Sequence, residues 1–328
     1  MLDQNIKNFF KTKNCLITGG TGMIGREIAK ILINTGAKVK VISLDKIKIH
    51  DNIEHVYGDL TDFNFCKKHT KDMDCVFHVA GIKGSVKVTI EKPASFFVPL
   101  LMFNTNVLEA SRINNVKKLV YTSSIGAYSS NDVFIENDEE DQGLPMDMYP
   151  GWAKRMAELQ IKSYQVQYNL KDYSIVRPCN VYGPGDNFDP ENAMVIPSLM
   201  SRIRSGEDPV KIWGDGSAIR DFAFARDVAE GTIQALYHGT KGKYLNLGSG
   251  REVTIRELVE TLSSFLDFNY EFDTSKSSGW PKRLMDISLA KKNIGYNPST
   301  SLQNGLKETW DWYLKNEKEY KLKKNYFK

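Results

Sequence analysis

Three glycines set the first chemical possibility in this chain. Gly19, Gly22 and Gly25 lie in Asn14-Cys-Leu-Ile-Thr-Gly-Gly-Thr-Gly-Met-Ile-Gly-Arg26, where an apolar run passes through a G-x-x-G-x-x-G turn into an amphipathic segment. Such a turn at a helix start lets backbone amides approach a pyrophosphate, an approach that a Cβ would obstruct. Thr21, Met23 and Ile24 fill the intervening positions, so the whole turn is the expected phosphate cradle. Ser43 ends a second strand-like run, Lys38–Ser43, at the place where a dinucleotide-binding fold reads the adenosine ribose. It is not an acid, but Asp45 two positions on can reach the ribose hydroxyls. Lys46 and Lys48 leave a 2′-phosphate open, and Asp45 favours NAD over NADP. Ala80 and Gly81 follow a fourth apolar run and offer a small surface beneath a cofactor. His78 alternates with apolar neighbours in that run, which marks a packed side chain rather than a catalyst.

These groups need a scaffold that brings strand ends together. The pattern predicts a short polar helix over residues 3–12, then strands at 14–18, 38–43, 53–57, 75–80, 118–123, 173–178 and 243–247 with helices between them. That alternation argues an α/β protein with a doubly wound, Rossmann-type parallel sheet of about seven strands. The run Pro93 to Ile113 is too apolar all round for a surface helix and belongs to the core or to a subunit interface. Residues 129–147 read as an acidic loop, and 151–168 as a long helix whose Trp152, Met156, Leu159 and Tyr164 give a second apolar surface. The expected division is a cofactor domain over 1–178, rejoined by 221–250, and a smaller interleaved substrate lobe from 179–220 and 251–328.

Composition narrows the classes further. With 41% apolar and 26% charged residues, and a net charge of +4 from 44 basic against 40 acidic side chains, nothing suggests a nucleic-acid footprint. The basic tail 321–328 reads as a solvated end. Cys15, Cys66, Cys75 and Cys179 show no metal-ligand spacing, so no metal is expected and a reducing, cytoplasmic setting fits. No stretch is long and apolar enough to suggest a membrane span or a leader.

The chain resembles the extended short-chain dehydrogenase/reductases that act on nucleotide-linked sugars, from Asn14 to about Tyr313. The motifs that carry the resemblance are the glycine turn, Asp59 in Gly58-Asp-Leu-Thr-Asp62, Asn106 in Asn104-Thr-Asn-Val-Leu-Glu-Ala110, Ser124 in Thr122-Ser-Ser-Ile-Gly-Ala-Tyr128, Lys154 in Gly151-Trp-Ala-Lys-Arg155, and Arg177-Pro-Cys-Asn-Val-Tyr-Gly-Pro184. In the second half, Val181 to Asn192, Val195 to Leu199 and Trp213 to Phe222 look like segments of GDP-fucose synthases. The resemblance implies that Asp59 and Leu60 meet the adenine. It implies that Ser124 holds the sugar oxygen, and that Lys154 binds nicotinamide ribose and lowers the pKa of a catalytic Tyr. It further implies that Lys83, Asn180, Val195 and Arg220 face the nucleotide sugar, with Arg220 on the diphosphate and Lys211 and Arg283 as further candidates for it.

Two departures matter. The Cys and His that GDP-fucose synthases use for epimerisation correspond to Gly126 and Met194. The catalytic Tyr-x-x-x-Lys pair is also out of register, because four residues before Lys154 stands Pro150, and Tyr149 is one position early. Residues i and i+4 of a helix are offset by about 40°, residues i and i+5 by about 140°. Either the helix starts after Tyr149, with Pro150 at its first position, or another group takes the proton. The implied activity is NAD-dependent hydride transfer at C4 of a nucleotide-linked sugar, most plausibly a GDP-sugar, by a homodimer or homotetramer serving polysaccharide biosynthesis. The other reading is a binding protein that holds NAD and a sugar nucleotide without turning them over.

Overall fold

The computed structural model describes residues 2–136, 143–189 and 191–323. The part of the acidic loop at 137–142 and the end of the basic tail at 324–328 lie outside them. Numbering only the strands of the main sheet, these are β1 Asn14–Thr18, β2 Lys38–Ser43, β3 Glu54–Tyr57, β4 Cys75–His78, β5 Lys118–Thr122, β6 Tyr173–Pro178 and β7 Tyr244–Leu247. Their spatial order is β7-β6-β5-β4-β1-β2-β3, every pair parallel. The seven expected strands all form, each within a residue or two of its expected bounds. The order reverses between β1 and β4, so the glycine turn after β1 and the tip of β4 open side by side at the sheet's carboxyl edge.

Helices cover both faces because the central strands are apolar on both. α1 Gln4–Phe10 precedes β1, and α2 Met23–Ile33 follows the glycine turn, burying Ile28, Ala29 and Leu32. α3 Phe63–Thr70 is capped by Asp62, whose carboxylate accepts from the Asn64 and Phe65 amides. The short α4 Val86–Glu91 follows β4. α5 Pro93–Ile113 buries Phe96, Leu100, Phe103, Val107 and Leu108 yet leaves Val98 and Met102 exposed, so it is both core and surface. α6 Met148–Gln167 packs on α5, α7 is Val195–Arg204, and α8 Ala225–His238 leads into β7.

α6 starts three residues before the expected Gly151. Its outer face also differs: Met156 and Leu159 are exposed, but Tyr164 is buried, its hydroxyl donating to Glu109 at 2.5 Å. A phenol of that size finds its partner on α5 and is drawn inward.

A second apolar cluster, separate from the one around the sheet, includes Tyr182, Phe188, Leu199, Leu258, Leu306 and Tyr313. Phe188 stacks on Tyr313 at 4.0 Å between ring centroids. Small strands frame it, with 180–182 parallel to 222–224 and 210–213 parallel to 270–273.

One buried ion pair ties α6 to the sheet. Arg177 of β6 is fully buried, donates from Nε and Nη2 to the two Glu158 oxygens at 2.9 and 2.6 Å, and lies over the rings of Tyr128 and Tyr244 at 4.3 and 3.7 Å. Removing one partner of such a pair leaves a buried charge without its counterion. Glu158→Ala should therefore cost about 3–5 kcal/mol of stability, read from urea unfolding of both proteins; a loss under about 1 kcal/mol would refute the pair's role.

Candidate functional site

A cleft of about 1280 Å³ runs along the carboxyl edge of the sheet. At one end is the glycine turn. Gly19 takes a positive φ of 69° and sits so close to the β4 tip that a Cβ would lie 2.8 Å from the Ala80 Cα, and a Cβ on Gly25 would overlap the Gly19 carbonyl oxygen. Only glycine permits this fold-over. Gly22 caps α2 without any side-chain hydrogen bond, which leaves the first amides of the helix facing the cleft. Thr18 anchors the opposite wall, its Oγ1 accepting from the Val79 and Ala80 amides at 3.2 Å each.

Thr18 also explains His78. The imidazole is fully buried, with Nδ1 2.7 Å from Thr18 Oγ1 and Nε2 2.9 Å from Asn104 Oδ1, and burial together with the nearby Lys154 charge pushes its pKa down to about 3. A permanently neutral ring spanning two neighbours is a brace, as its apolar neighbours implied.

Of the residues expected at the end of β2 and after β3, some line the cleft and one does not. Ser43, Asp45 and Leu60 line the cleft, and Asp45 Oδ2 accepts from Thr21 Oγ1 at 3.0 Å. Asp59 does not line it. Its carboxylate accepts from the Thr61 amide at 2.9 Å, and the cleft wall is made by Gly58 and Leu60 on either side. Asn106 fixes this loop by donating to the Leu60 and Thr61 carbonyls at 3.1 and 2.9 Å.

Thr21, Met23, Ile24, Ala80, Gly81 and Lys83 also line the cleft, as do Ser124, Tyr149, Lys154, Asn180, Val195 and Arg283. Ser124 Oγ accepts from the Gly126 amide at 3.0 Å in the turn after β5. Lys154 projects from α6 and donates to the Thr122 carbonyl at 2.7 Å, 5.0 Å from the centre of the Tyr121 ring; burial pushes its pKa down to about 8. Tyr149 lies inside α6, so the angular rule applies. The residue is 43% exposed, and its ring packs edge-on to Phe97 at 6.3 Å between centroids.

Two expected diphosphate ligands lie elsewhere. Lys211 is exposed on an edge strand and pairs with Glu271 at 3.4 Å. Arg220 does not line the cleft, because the turn before Arg283 captures its guanidinium: it donates to the carbonyls of Ile219 and Trp280 at 2.7 and 2.8 Å. Arg220 and Arg283 are neighbours in parallel register, and burial plus this proximity pushes the Arg220 pKa down to about 10. Arg283 Nε is buried without a hydrogen-bond partner among the described residues.

Three features of the cleft had no signal in the sequence. Asp186 is buried and holds Lys83 at 3.4 Å. The C-terminal segment brings Tyr320, Lys321 and Lys323 to the rim, with Lys323 donating to the Gly185 carbonyl. Asp147, just before α6, turns into the cleft against Gly126.

The fold and cleft belong to a known class. The sequence signature of the NAD dependent epimerase/dehydratase family matches residues 15–248, and the chain belongs to that family. It is 31% identical to GDP-L-fucose synthase 1 of Arabidopsis thaliana over 93% of this chain and 94% of that one. Its fold superposes on an epimerase from Methanothermobacter thermautotrophicus with a TM-score of 0.84 and 25% identity, covering 97% of this chain and 96% of the other. It likewise matches the UDP-glucose 4-epimerase of Thermotoga maritima, solved with UDP-glucose, with a TM-score of 0.79 and 28% identity over 93% and 99% of the two chains. The protein is an NAD-dependent enzyme of the extended short-chain type, and no helix among its described residues is long and apolar enough to cross a membrane.

The lowered Lys154 pKa has a measurable consequence. Between about pH 8 and the ordinary 10.5 the unfolded chain holds a proton that the folded chain has released, so stability rises with pH through that window. Lys154→Met should remove this rise. Urea midpoints from pH 8 to 10 test it, and equal slopes for the two proteins would refute it.

Proposed function

We propose that the enzyme oxidises or epimerises a nucleotide-linked sugar at C4, with a GDP-sugar as first candidate. The observation that supports this most is the continuity of one cleft from the glycine turn, past Ser124 and Lys154, to Asn180, Val195 and Arg283. That length suits a dinucleotide and a sugar nucleotide meeting end to end. The residues present fit NAD: glycines form a cradle that any Cβ would fill, and Asp45 stands where the adenosine ribose would lie. Bound there, the nicotinamide supplies a reversible hydride acceptor.

The chain's own groups divide the rest of the work. The Thr21 to Gly25 amides hold the pyrophosphate, Asp45 accepts from the ribose hydroxyls and opposes a 2′-phosphate, and Lys154 holds the nicotinamide ribose. Ser124 orients the sugar hydroxyl. The lobe of residues 179–220 and 251–328 holds the nucleotide, with Arg283 donating to the diphosphate through its unpartnered Nε and Arg220 supplying charge from behind. The GDP preference rests on the 31% identity to a GDP-L-fucose synthase.

Titration calorimetry should show NAD bound at least about tenfold more tightly than NADP (about 1.4 kcal/mol), and GDP more tightly than UDP. Reduced-nicotinamide absorbance should then rise when the NAD-loaded protein meets the right GDP-sugar. Preference for NADP or UDP would overturn the corresponding assignment.

We also propose a dimer. Val98 and Met102 on α5, with Met156 and Leu159 on α6, expose apolar surface on two helices that pack side by side, and a two-fold axis would bury both faces. Light scattering at micromolar concentration should give twice the chain mass; a monomer would refute it.

A further inference from the structure

Pro150 occupies the place four residues before Lys154 where a proton-transferring side chain would share its face, and it carries no titratable group. Its second effect is on the residue in front of the helix. Asp147 is the N-cap of α6, and an Asp there ordinarily accepts from the amide of the second or third helical residue. The third residue is Pro150, which has no N–H. Asp147 makes no capping hydrogen bond.

The freed carboxylate lies over Gly126. A Cβ on Gly126 would sit 2.9 Å from Asp147 Cγ and would overlap Oδ2, so the carboxylate occupies the space that a side chain at 126 would take. The backbones are locked together as well, the Asp147 amide donating to the Gly126 carbonyl at 3.2 Å. Gly126 is the residue whose amide donates to Ser124 Oγ. The carboxylate therefore stands one residue from the hydroxyl proposed to orient the sugar, and both line the cleft.

Arg283 acts on its charge, and two further elements bring other polar groups to the same cleft. Arg283, on the strand Lys282–Met285, faces Asp147 and stabilises its anion; Tyr149 and Lys154 lie on α6; Ser124 is on the turn after β5. The cleft walls around the carboxyl group raise its pKa above the ordinary value even though the residue as a whole is exposed, and the Arg283 charge opposes that rise. A carboxyl poised above its usual range exchanges protons more readily near neutral pH.

Building on the oxidoreductase reading, we propose that Asp147 is the proton-transfer residue of this enzyme. In the oxidative direction the sugar O–H bond breaks and its proton passes to an Asp147 oxygen, while the hydride of the same carbon leaves for the nicotinamide. The carbonyl forms, and the reverse step returns the proton. Tyr149, turned about 140° from Lys154 around the helix, lies outside this exchange. Pro150, Gly126 and Asp147 then form one unit: the proline removes one of the two amides that could hold the carboxylate, and the glycine makes room for it.

The test compares four variants in the NAD-loaded enzyme and follows the Asp147 carboxyl itself in the cofactor-free protein. Asp147→Asn, which keeps the size and capping ability of the side chain, should lower kcat about 10²–10⁴-fold with nucleotide affinity unchanged within about threefold, and should flatten the rise of kcat with pH that an acid titrating above its ordinary range gives. Asp147→Glu should recover part of the rate. Tyr149→Phe should lose less than about tenfold, a displaced group having little of the general acid–base contribution to surrender. Pro150→Ala restores the missing amide, so the carboxylate should return to capping: the protein gains stability but slows. Infrared spectra taken across pH should show a protonated-carboxyl band that Asp147→Asn removes and that Pro150→Ala shifts to lower pH. Wild-type protein that turns over no nucleotide sugar would overturn the oxidoreductase reading and this assignment with it. Turnover retained in Asp147→Asn, or abolished by Tyr149→Phe, would overturn this assignment alone.

Discussion

The geometry of the reacting end depends on the Arg177–Glu158 pair. Four segments meet at one guanidinium: β6 supplies it, α6 neutralises it through Glu158, and Tyr128 and Tyr244 cover its two faces. Lys154 stands one helical turn before Glu158, and Tyr128 closes the turn that begins at Ser124. The same interaction thus sets the height of α6 along the sheet and the position of the Ser124 turn. A charge buried this fully tolerates little displacement, because any gap exposes it to a medium that cannot solvate it. The Tyr128 hydroxyl extends the constraint by donating to Asn246 of β7 at 2.8 Å. Ser124 at a strand exit and Lys154 on α6 share one frame for this reason.

With α6 fixed, the details at its first turn decide the chemistry. A proline at the third helical position costs little to the helix, since its N–H would lack an intrahelical partner in any case. The cost falls on the cap, which loses a donor. The effects stay local: one carboxylate released, one glycine needed beside it, and a tyrosine carried into the helix and turned toward Phe97. A one-residue slip changes which side chain shares the face of Lys154 without changing the fold.

Much of the scaffold was legible in the sequence, because each buried parallel strand is a short apolar run bounded by turn residues, and such runs need no distant information. The glycine turn, Asp45, Ser124 and Lys154 were legible for a related reason: each sits within a few residues of a strand end or on the face of one helix. Asp59, Lys211 and Arg220 fall outside the cleft lining because partner choice for a flexible or loop side chain is settled by groups remote in the chain or by its own backbone. Arg220 is the clearest instance, its guanidinium taken up by carbonyls of a turn sixty residues later. Asp147 was invisible for a subtler cause. Its environment is created by what Pro150 lacks and what Gly126 lacks, and absent atoms leave no periodic signal.

The cofactor end obeys the same logic over a longer range. Arg26 directly follows the glycine turn, where a guanidinium by type would suit a phosphate. Instead it is buried, donates to the Thr21 carbonyl at 3.1 Å, pairs with Glu319 and lies 5.0 Å from the centre of the Trp312 ring. Its charge is spent on joining the turn to the C-terminal helices, and Lys323 adds a second tie at the Gly185 carbonyl. The backbone amides at the start of α2 are therefore held partly by contacts from the C-terminal segment.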